Sequence, residues 1–434
     1  MTVAHPSKSF QEILTELRND FHPPLHYFIT NILFRVIEYN DFNGRLTSAI
    51  IGIFGVIAMY FWGLQIKDKR TGLLMMLLAC VNYYQLYYSQ EIRMYILLFL
   101  FTALSATFFL RMVTNAKPVN YIAYTLVTTL LLYTHYFGLF VFGAEILCFF
   151  HLIIKRLNPS IIKRGLIAGI SVAILYLPWL PFILNSGSQE HWMRLPKAAY
   201  LFKYLYNSLG KDPVAFALYT TGVILFVRQF ISLEKKVITT QLTSYLLILY
   251  GLFTIYIFTY FVSLVKPVLQ ARCTIAAIPF LIAAVVLGLD SLKDKFAKMS
   301  ISAIVISATI NVYFVKNYYF KVTKENYKAI ALIVQKTNPN TVAISYYAKF
   351  YNYYFEQLNA SKKIINPLGK TPDSVLTNID KFVLLNAHNG SELMSNDKIK
   401  FPALENYIST HFYVDTVFRT KGTYEHAIVY KRRK

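Results

Sequence analysis

Eight residues of this chain combine reactive side chains with suggestive surroundings: Asp20, His22, Glu91, Arg93, Tyr95, His135, Lys266 and Arg272. Asp20 and His22 open the stretch Asp20-Phe21-His22-Pro23-Pro24-Leu25. Glu91, Arg93 and Tyr95 lie in Gln90-Glu91-Ile92-Arg93-Met94-Tyr95, His135 lies in Tyr133-Thr134-His135-Tyr136, and Lys266 and Arg272 bracket Pro267. Fixed cations neutralise a phosphate, and arginine does so with two parallel N–H donors. A carboxylate within reach of a hydroxyl takes its proton. The set therefore suits chemistry at a phosphate-linked group, with a hydroxyl as acceptor. Each member also has a plainer role. Asp20 could cap a helix, Glu91 and Arg93 could pair with each other, His135 could hydrogen-bond at an interface, and Lys266 and Arg272 could be ordinary flanking charges. His22 and His26 are four apart, a metal-ligand spacing, yet the prolines between them and the want of an assured third ligand favour packing.

The elements that must position these residues are set by composition. The chain has 434 residues, 56% of them hydrophobic and only 15% charged, with a mean hydropathy of +0.42. Long apolar runs of this number make it a polytopic membrane protein. We expect about ten spans, roughly 43–64, 71–89, 91–112, 119–136, 137–155, 165–184, 212–230, 243–264, 272–290 and 299–316. One set of loops holds Lys67, Lys69, Arg70, Arg111, Lys117, Lys155, Arg156, Lys163, Arg164, Arg228, Lys235, Lys236, Lys293, Lys295 and Lys298. The opposite set holds Arg93, Arg194, Lys197, Lys266 and Arg272. By the positive-inside rule the first set is cytoplasmic, and both chain ends lie outside. The net charge of +22 thus points to anionic headgroups and lipid phosphates rather than to nucleic acid, for which no binding motif is present. Cys80, Cys148 and Cys273 lie far apart in apolar segments and suggest neither a disulfide nor a zinc site.

Residues 1–42 form an external loop containing an amphipathic helix. Leu25, Phe28, Ile29, Ile32, Leu33, Val36 and Ile37 recur at helical spacing, with His26, Thr30, Asn31, Arg35 and Glu38 opposite. Such a helix lies in a membrane interface, which places Asp20 and His22 near lipid headgroups. Residues 43–316 form the membrane domain. From 317 to 434 the composition is that of a soluble domain. Helices near Tyr327–Val334 and Phe401–Thr410, and strands at Thr341–Tyr347, Lys381–Ala387, Tyr413–Thr420 and Glu425–Lys431, suggest a small external α/β domain, with Lys421-Gly422-Thr423 as a hairpin turn. On the same outer boundary lies Gln189-Glu190-His191-Trp192.

Asp20-Phe21-His22-Pro23-Pro24-Leu25, Gly44-Arg45-Leu46, Ser89-Gln90-Glu91-Ile92-Arg93-Met94-Tyr95, Thr134-His135-Tyr136-Phe137-Gly138 and Pro267…Arg272…Pro279 together resemble bacterial members of glycosyltransferase family 39. This is the protein-mannosyltransferase and aminoarabinose-transferase type of the GT-C superfamily, and the likeness runs from about Ser9 to Leu289. The resemblance implies inverting transfer of a sugar from a polyprenyl phosphate to an extracytoplasmic glycan, lipid or protein. It implies a carboxylate base, basic residues on the leaving phosphate and, in some relatives, a divalent cation. It further implies that His22, Arg93, Tyr95, His135, Lys266 and Arg272 contact substrate. Relatives carry an acidic pair, the base, after a first span ahead of the His-Pro-Pro segment; neither span nor pair is in this sequence. The expectation is that an upstream span is missing from it, with Asp20 or Glu91 as the carboxylate to hand. The rival expectation is a non-catalytic descendant that binds or moves lipid-linked glycans.

Overall fold

The computed structural model describes residues 2–17, 22–185, 195–233, 238–320, 326–338, 340–345, 347–360, 362, 364–367, 370–386, 402–419 and 426–433. They fall into two compact units, residues 3–316 and residues 317–434.

The first unit opens with α1 (Phe10–Leu17) and α2 (Leu25–Val36). The amphipathic pattern of α2 is present, with polar residues turned inward and the end of its apolar stripe exposed. Ile32 is 50% and Val36 82% exposed, while His26, Thr30 and Asn31 are buried. The Asn31 amide donates to the carbonyls of His5 and Lys8, at 2.6 and 3.3 Å, and Arg35 donates to Lys8 at 2.8 Å. Backbone carbonyls thus take up the Asn31 amide and the Arg35 guanidinium, while Ile32 and Val36 stay exposed.

Then follow α3 (Asp41–Ile66), α4 (Lys69–Val81), α5 (Tyr83–Tyr88), α6 (Tyr95–Thr114), α7 (Pro118–Thr134), α8 (Phe137–Ile154), α9 (Pro159–Tyr176) and α10 (Leu180–Asn185). After them come α11 (Tyr200–Ser208), α12 (Pro213–Leu233), α13 (Thr240–Leu252), α14 (Thr259–Val265), α15 (Ile278–Leu289) and α16 (Asp294–Ile310). Among the described residues, eight helical stretches are long and apolar enough to cross a membrane. Each coincides with an expected span. The other two expected spans are helical but shorter. Asn82 interrupts 71–89: its side chain accepts from the Gln85 amide at 3.1 Å and starts α5 afresh. Helix α7 has 17 residues. The protein is a multi-pass, predominantly helical membrane protein.

Local chemistry marks each break. Side chains of Asn40 and Asp68 cap α3 and α4, accepting from Asn43 and Thr71 at 2.9 and 2.7 Å, worth about 1 kcal/mol each. Pro279 cannot donate a backbone hydrogen bond, and Ala271–Ala277 ahead of it winds as a tighter 3₁₀ turn. Every residue of α15 is buried, making it the central helix of the bundle. There the backbones of α12 and α15 nearly touch, since a Cβ on Gly288 would sit 1.9 Å from the Gly222 carbonyl oxygen. Small residues permit such close helix contact in membranes. A second tie is polar: buried Glu145 of α8 accepts from Ser105 of α6 at 2.6 Å and from the Tyr124 hydroxyl of α7 at 2.9 Å. At the end of the bundle rich in Lys and Arg, Lys67 pairs with Asp290 at 2.5 Å and Arg70 with Asp294 at 2.7 Å.

The second unit contains α17 (Tyr327–Thr337), β1 (Val342–Ile344), α18 (Ala348–Gln357), β2 (Ile364–Ile365), α19 (Pro372–Leu376), β3 (Lys381–Asn386), α20 (Pro402–His411), β4 (Phe412–Arg419) and β5 (His426–Arg432). The five strands run in the order β2-β1-β3-β5-β4. The first three are parallel, and β5 is antiparallel to both neighbours. Strand alternation divides the core. Val383, Leu385, Ala427 and Val429 pack with Ile330, Val334, Tyr351 and Phe355 on one face, while Ile344, Phe382 and Phe412 pack with Leu376, Leu404 and Ile408 on the other. The expected strands are all present. The two-residue β2 and helices α18 and α19 have no counterpart among the sequence expectations, and Lys421-Gly422-Thr423 lies outside the described residues.

Candidate functional site

The polar residues singled out in the sequence come from loops between helices, and the fold gathers several of them at the end of the bundle away from the Lys67–Asp290 pair. His22 precedes α2; residues 89–94 join α5 to α6; His135 separates α7 from α8; Arg272 begins the 3₁₀ turn ahead of α15. The rings of His22 and His135 lie 5.7 Å apart, and those of Tyr95 and His135 5.8 Å apart. The Arg272 guanidinium stands 5.7 Å from the centre of the Tyr95 ring, a cation–π arrangement that fixes where the charge sits. Its Nε donates to Gln270 at 2.5 Å. Arg93 and Glu91 are within electrostatic reach of the Tyr95 hydroxyl, and Arg93 likewise acts on His26.

The turn that presents Glu91 and Arg93 is braced from below. Ser48 of α3 donates its hydroxyl to the Glu91 carbonyl at 2.7 Å, and the Arg93 amide donates to the same carbonyl at 2.8 Å. Gln85 of α5 donates to the Gly52 carbonyl at 3.0 Å. Arg93 is thereby exposed on a turn held by buried polar contacts, with Glu91 half-buried beside it.

The two buried histidines are neutral. His135 is held well below its ordinary pKa by burial first, then by the charges of His22 and Arg272. The Phe137 amide donates to its Nδ1 at 3.0 Å, so the ring proton is on Nε2, facing the Cys273 sulfur at 3.8 Å. His26, on the polar face of α2, is buried and lowered to about 3, again mainly by burial. Neither imidazole is a cation for a phosphate at neutral pH. The positive charge at this end belongs to the arginines and to Lys266, which is exposed at the close of α14.

Of the expected site residues, Asp20 lies outside the described residues, as does Gln189-Glu190-His191-Trp192. His22, Glu91, Arg93, Tyr95, His135 and Arg272 come together. For Lys266 the structure gives an exposed position on the same loop as Arg272. Among the described residues no three His, Cys, Asp or Glu side chains converge as ligands. Sequence reading missed Tyr88, whose ring packs 5.0 Å from that of Tyr95, and Cys273. The tyrosine run 83–88 carried a signal, since a spacing of four sets Tyr84 and Tyr88 on one helical face.

Residues 21–182 match the family described as dolichyl-phosphate-mannose-protein mannosyltransferase. No curated protein sequence matches this one significantly. Among solved structures, the chain is similar to ArnT from Cupriavidus metallidurans bound to undecaprenyl phosphate, at 11% identity and a TM-score of 0.59, covering 94% of this chain and 88% of that one. It is also similar to the Archaeoglobus fulgidus oligosaccharyltransferase in its apo form, at 10% identity and a TM-score of 0.50, covering 95% and 67%. In fold, then, the chain is similar to both of these solved structures, and its residues 21–182 match the mannosyltransferase family model.

Proposed function

We propose that the protein transfers a sugar from a polyprenyl-phosphate carrier to the hydroxyl of an extracytoplasmic acceptor, a glycan, lipid or protein, with inversion at the anomeric carbon. It works in the bacterial cytoplasmic membrane, with residues 317–434 outside. The observation that carries this reading is the convergence of Arg93 and Arg272 on Tyr95, beside His135, at the end of the bundle served by the interfacial helix α2. The neighbour with undecaprenyl phosphate bound supports a carrier of that chemistry.

In the step, the acceptor hydroxyl oxygen bonds to the anomeric carbon as the bond from that carbon to the phosphate oxygen breaks. The electron pair leaves with the lipid phosphate, and the acceptor proton passes to a carboxylate. Arg93 and Arg272, with Lys266 on the same loop, offset the charge gathering on the phosphate. Tyr95 orients Arg272, and the neutral His135 lines the site beside His22 as a packing and hydrogen-bonding group. The carboxylates for the base role are Asp20 and Glu91.

The test is transfer from a radiolabelled polyprenyl-phosphate sugar in membranes containing the full chain. Arg93→Ala and Arg272→Ala should each lower kcat/KM by about 30-fold or more, the worth of a charged hydrogen bond to phosphate. Asp20→Asn or Glu91→Gln should lower kcat by about 100-fold or more, whichever holds the base. Full activity in both carboxylate variants would remove Asp20 and Glu91 from the base role. A wild type that binds carrier but never transfers would make the protein a non-catalytic binder or mover of lipid-linked glycans.

A further inference from the structure

The soluble unit carries a charged cleft that the transfer site does not use. It is open, about 810 Å³ in volume, and lined by Asp380, Lys381, Tyr413, Lys431, Arg432 and Arg433. Strand register explains its composition. Lys381 of β3 stands directly opposite Lys431 of β5, and Lys431 stands opposite Tyr413 of β4. These three form one cross-strand row, on the sheet face that carries Val383 and Val429, one pleat beyond the core. Like charges directly opposite one another destabilise a sheet. A lysine pair kept in such a row therefore opposes folding, and breaches of local rules of this kind mark functional sites.

Partial compensation is visible but incomplete. Lys431 pairs with Asp415, the bulged residue of β4, at 2.8 Å. Arg432 points to the other side, where it donates to the Leu376 and Thr377 carbonyls at 2.7 and 2.8 Å, and its role is to hold α19. Asp380 lies at the rim, 97% exposed and 3.9 Å from Arg432. Arg433 is anchored by donating Nε to the Phe412 carbonyl at 3.1 Å and its amide to His411 at 2.9 Å. Among the described residues neither Lys381 nor Arg433 forms an ion pair. Two cations with no ion pair among the described residues thus line a cleft together with Lys431, Arg432, the exposed carboxylate of Asp380 and the half-exposed ring of Tyr413.

We propose that this cleft binds an anionic saccharide, one carrying a phosphate or carboxylate beside a sugar ring. Lys381, Lys431 and Arg433 take the anion through charge-assisted hydrogen bonds, and the Tyr413 ring takes the apolar face of the sugar. As a statement about the acceptor this rests on the transferase reading above; as a statement about binding it does not.

The experiment titrates the full chain, in nanodiscs of zwitterionic lipid, with trehalose 6-phosphate, using trehalose and inorganic phosphate as references. The phosphorylated sugar should bind about tenfold more tightly than either reference. Lys381→Gln and Arg433→Gln should each weaken it by about tenfold. Tyr413→Ala should weaken the phosphorylated sugar but leave inorganic phosphate unchanged. Because Lys381→Gln removes a repulsive pair, its Tm should hold or rise while binding falls, a combination that a purely structural lysine would not give. Arg93→Ala should bind as wild type does, which separates this cleft from the transfer site even if transfer is lost. The proposal is overturned if Lys381→Gln and Arg433→Gln bind normally, or if the phosphorylated sugar binds no better than trehalose. It is equally overturned if Arg93→Ala abolishes the binding, or if nanodiscs of phosphatidylglycerol do, since the cleft would then belong to lipid headgroups.

Discussion

At the scale of single residues, the buried His26 and His135 make the end of the bundle that holds the proposed site sensitive to acid. His26 has a folded-state pKa lowered to about 3, against about 6.5 in an unfolded chain. Between those values the unfolded state binds a proton that the folded state does not, so stability rises with pH. The contribution is present in full above pH 6.5 and is lost as pH falls toward 3, by about 1.4 kcal/mol per pH unit for this histidine. Thermal unfolding of the detergent-solubilised protein between pH 7 and pH 4 should show this loss, and His26→Gln, which does not titrate, should flatten the slope by one histidine's share. An unchanged slope would mean that His26 is protonated in the fold. That Arg93, Arg272 and His135 meet was legible in the sequence because each sits in a short polar motif at the edge of an apolar run. The neutrality of both histidines was not, because it arises from neighbours contributed by distant segments. Tyr88 and Cys273 escaped notice for the same reason.

Helices illustrate a different division. Apolar length alone located all ten helical segments, since hydrocarbon thickness imposes it. The interruptions were less visible. Asn82 ends α4 by capping its successor, and the 3₁₀ turn before Pro279 places Arg272 where a continuous α-helix would aim it elsewhere. Helix α2 was read correctly as amphipathic, but which face met the protein depended on carbonyls at His5 and Lys8 that no periodicity reveals. Close approach of α12 and α15 is likewise a property of the pair. Gly288→Leu should force them apart, and Gly288→Ala should destabilise by about 1–3 kcal/mol, the cost of overpacking a filled interior. The check is the Tm of the purified variant, and a wild-type value for Gly288→Ala would contradict the contact drawn here.

For the whole molecule, charge distribution carries the main expectation. Lysines and arginines concentrate in alternate loops, and the structure joins two of those loops through Lys67–Asp290 and Arg70–Asp294. Fusions should therefore report opposite sides: alkaline phosphatase active when attached after Lys434, and inactive when inserted at Lys117. The reverse pattern would invert the protein in the membrane. The exposed end of the apolar stripe on α2 has a further bearing on the proposed reaction. On the proposed reading, a helix lying sideways in one leaflet would bring the transfer site to the depth of the carrier's phosphate, so donor molecules would arrive by lateral diffusion in two dimensions without passing through water. The quantity that governs saturation is then the number of carriers per lipid, and diluting the membrane with inert lipid slows the enzyme even when the amount of donor in the tube is constant.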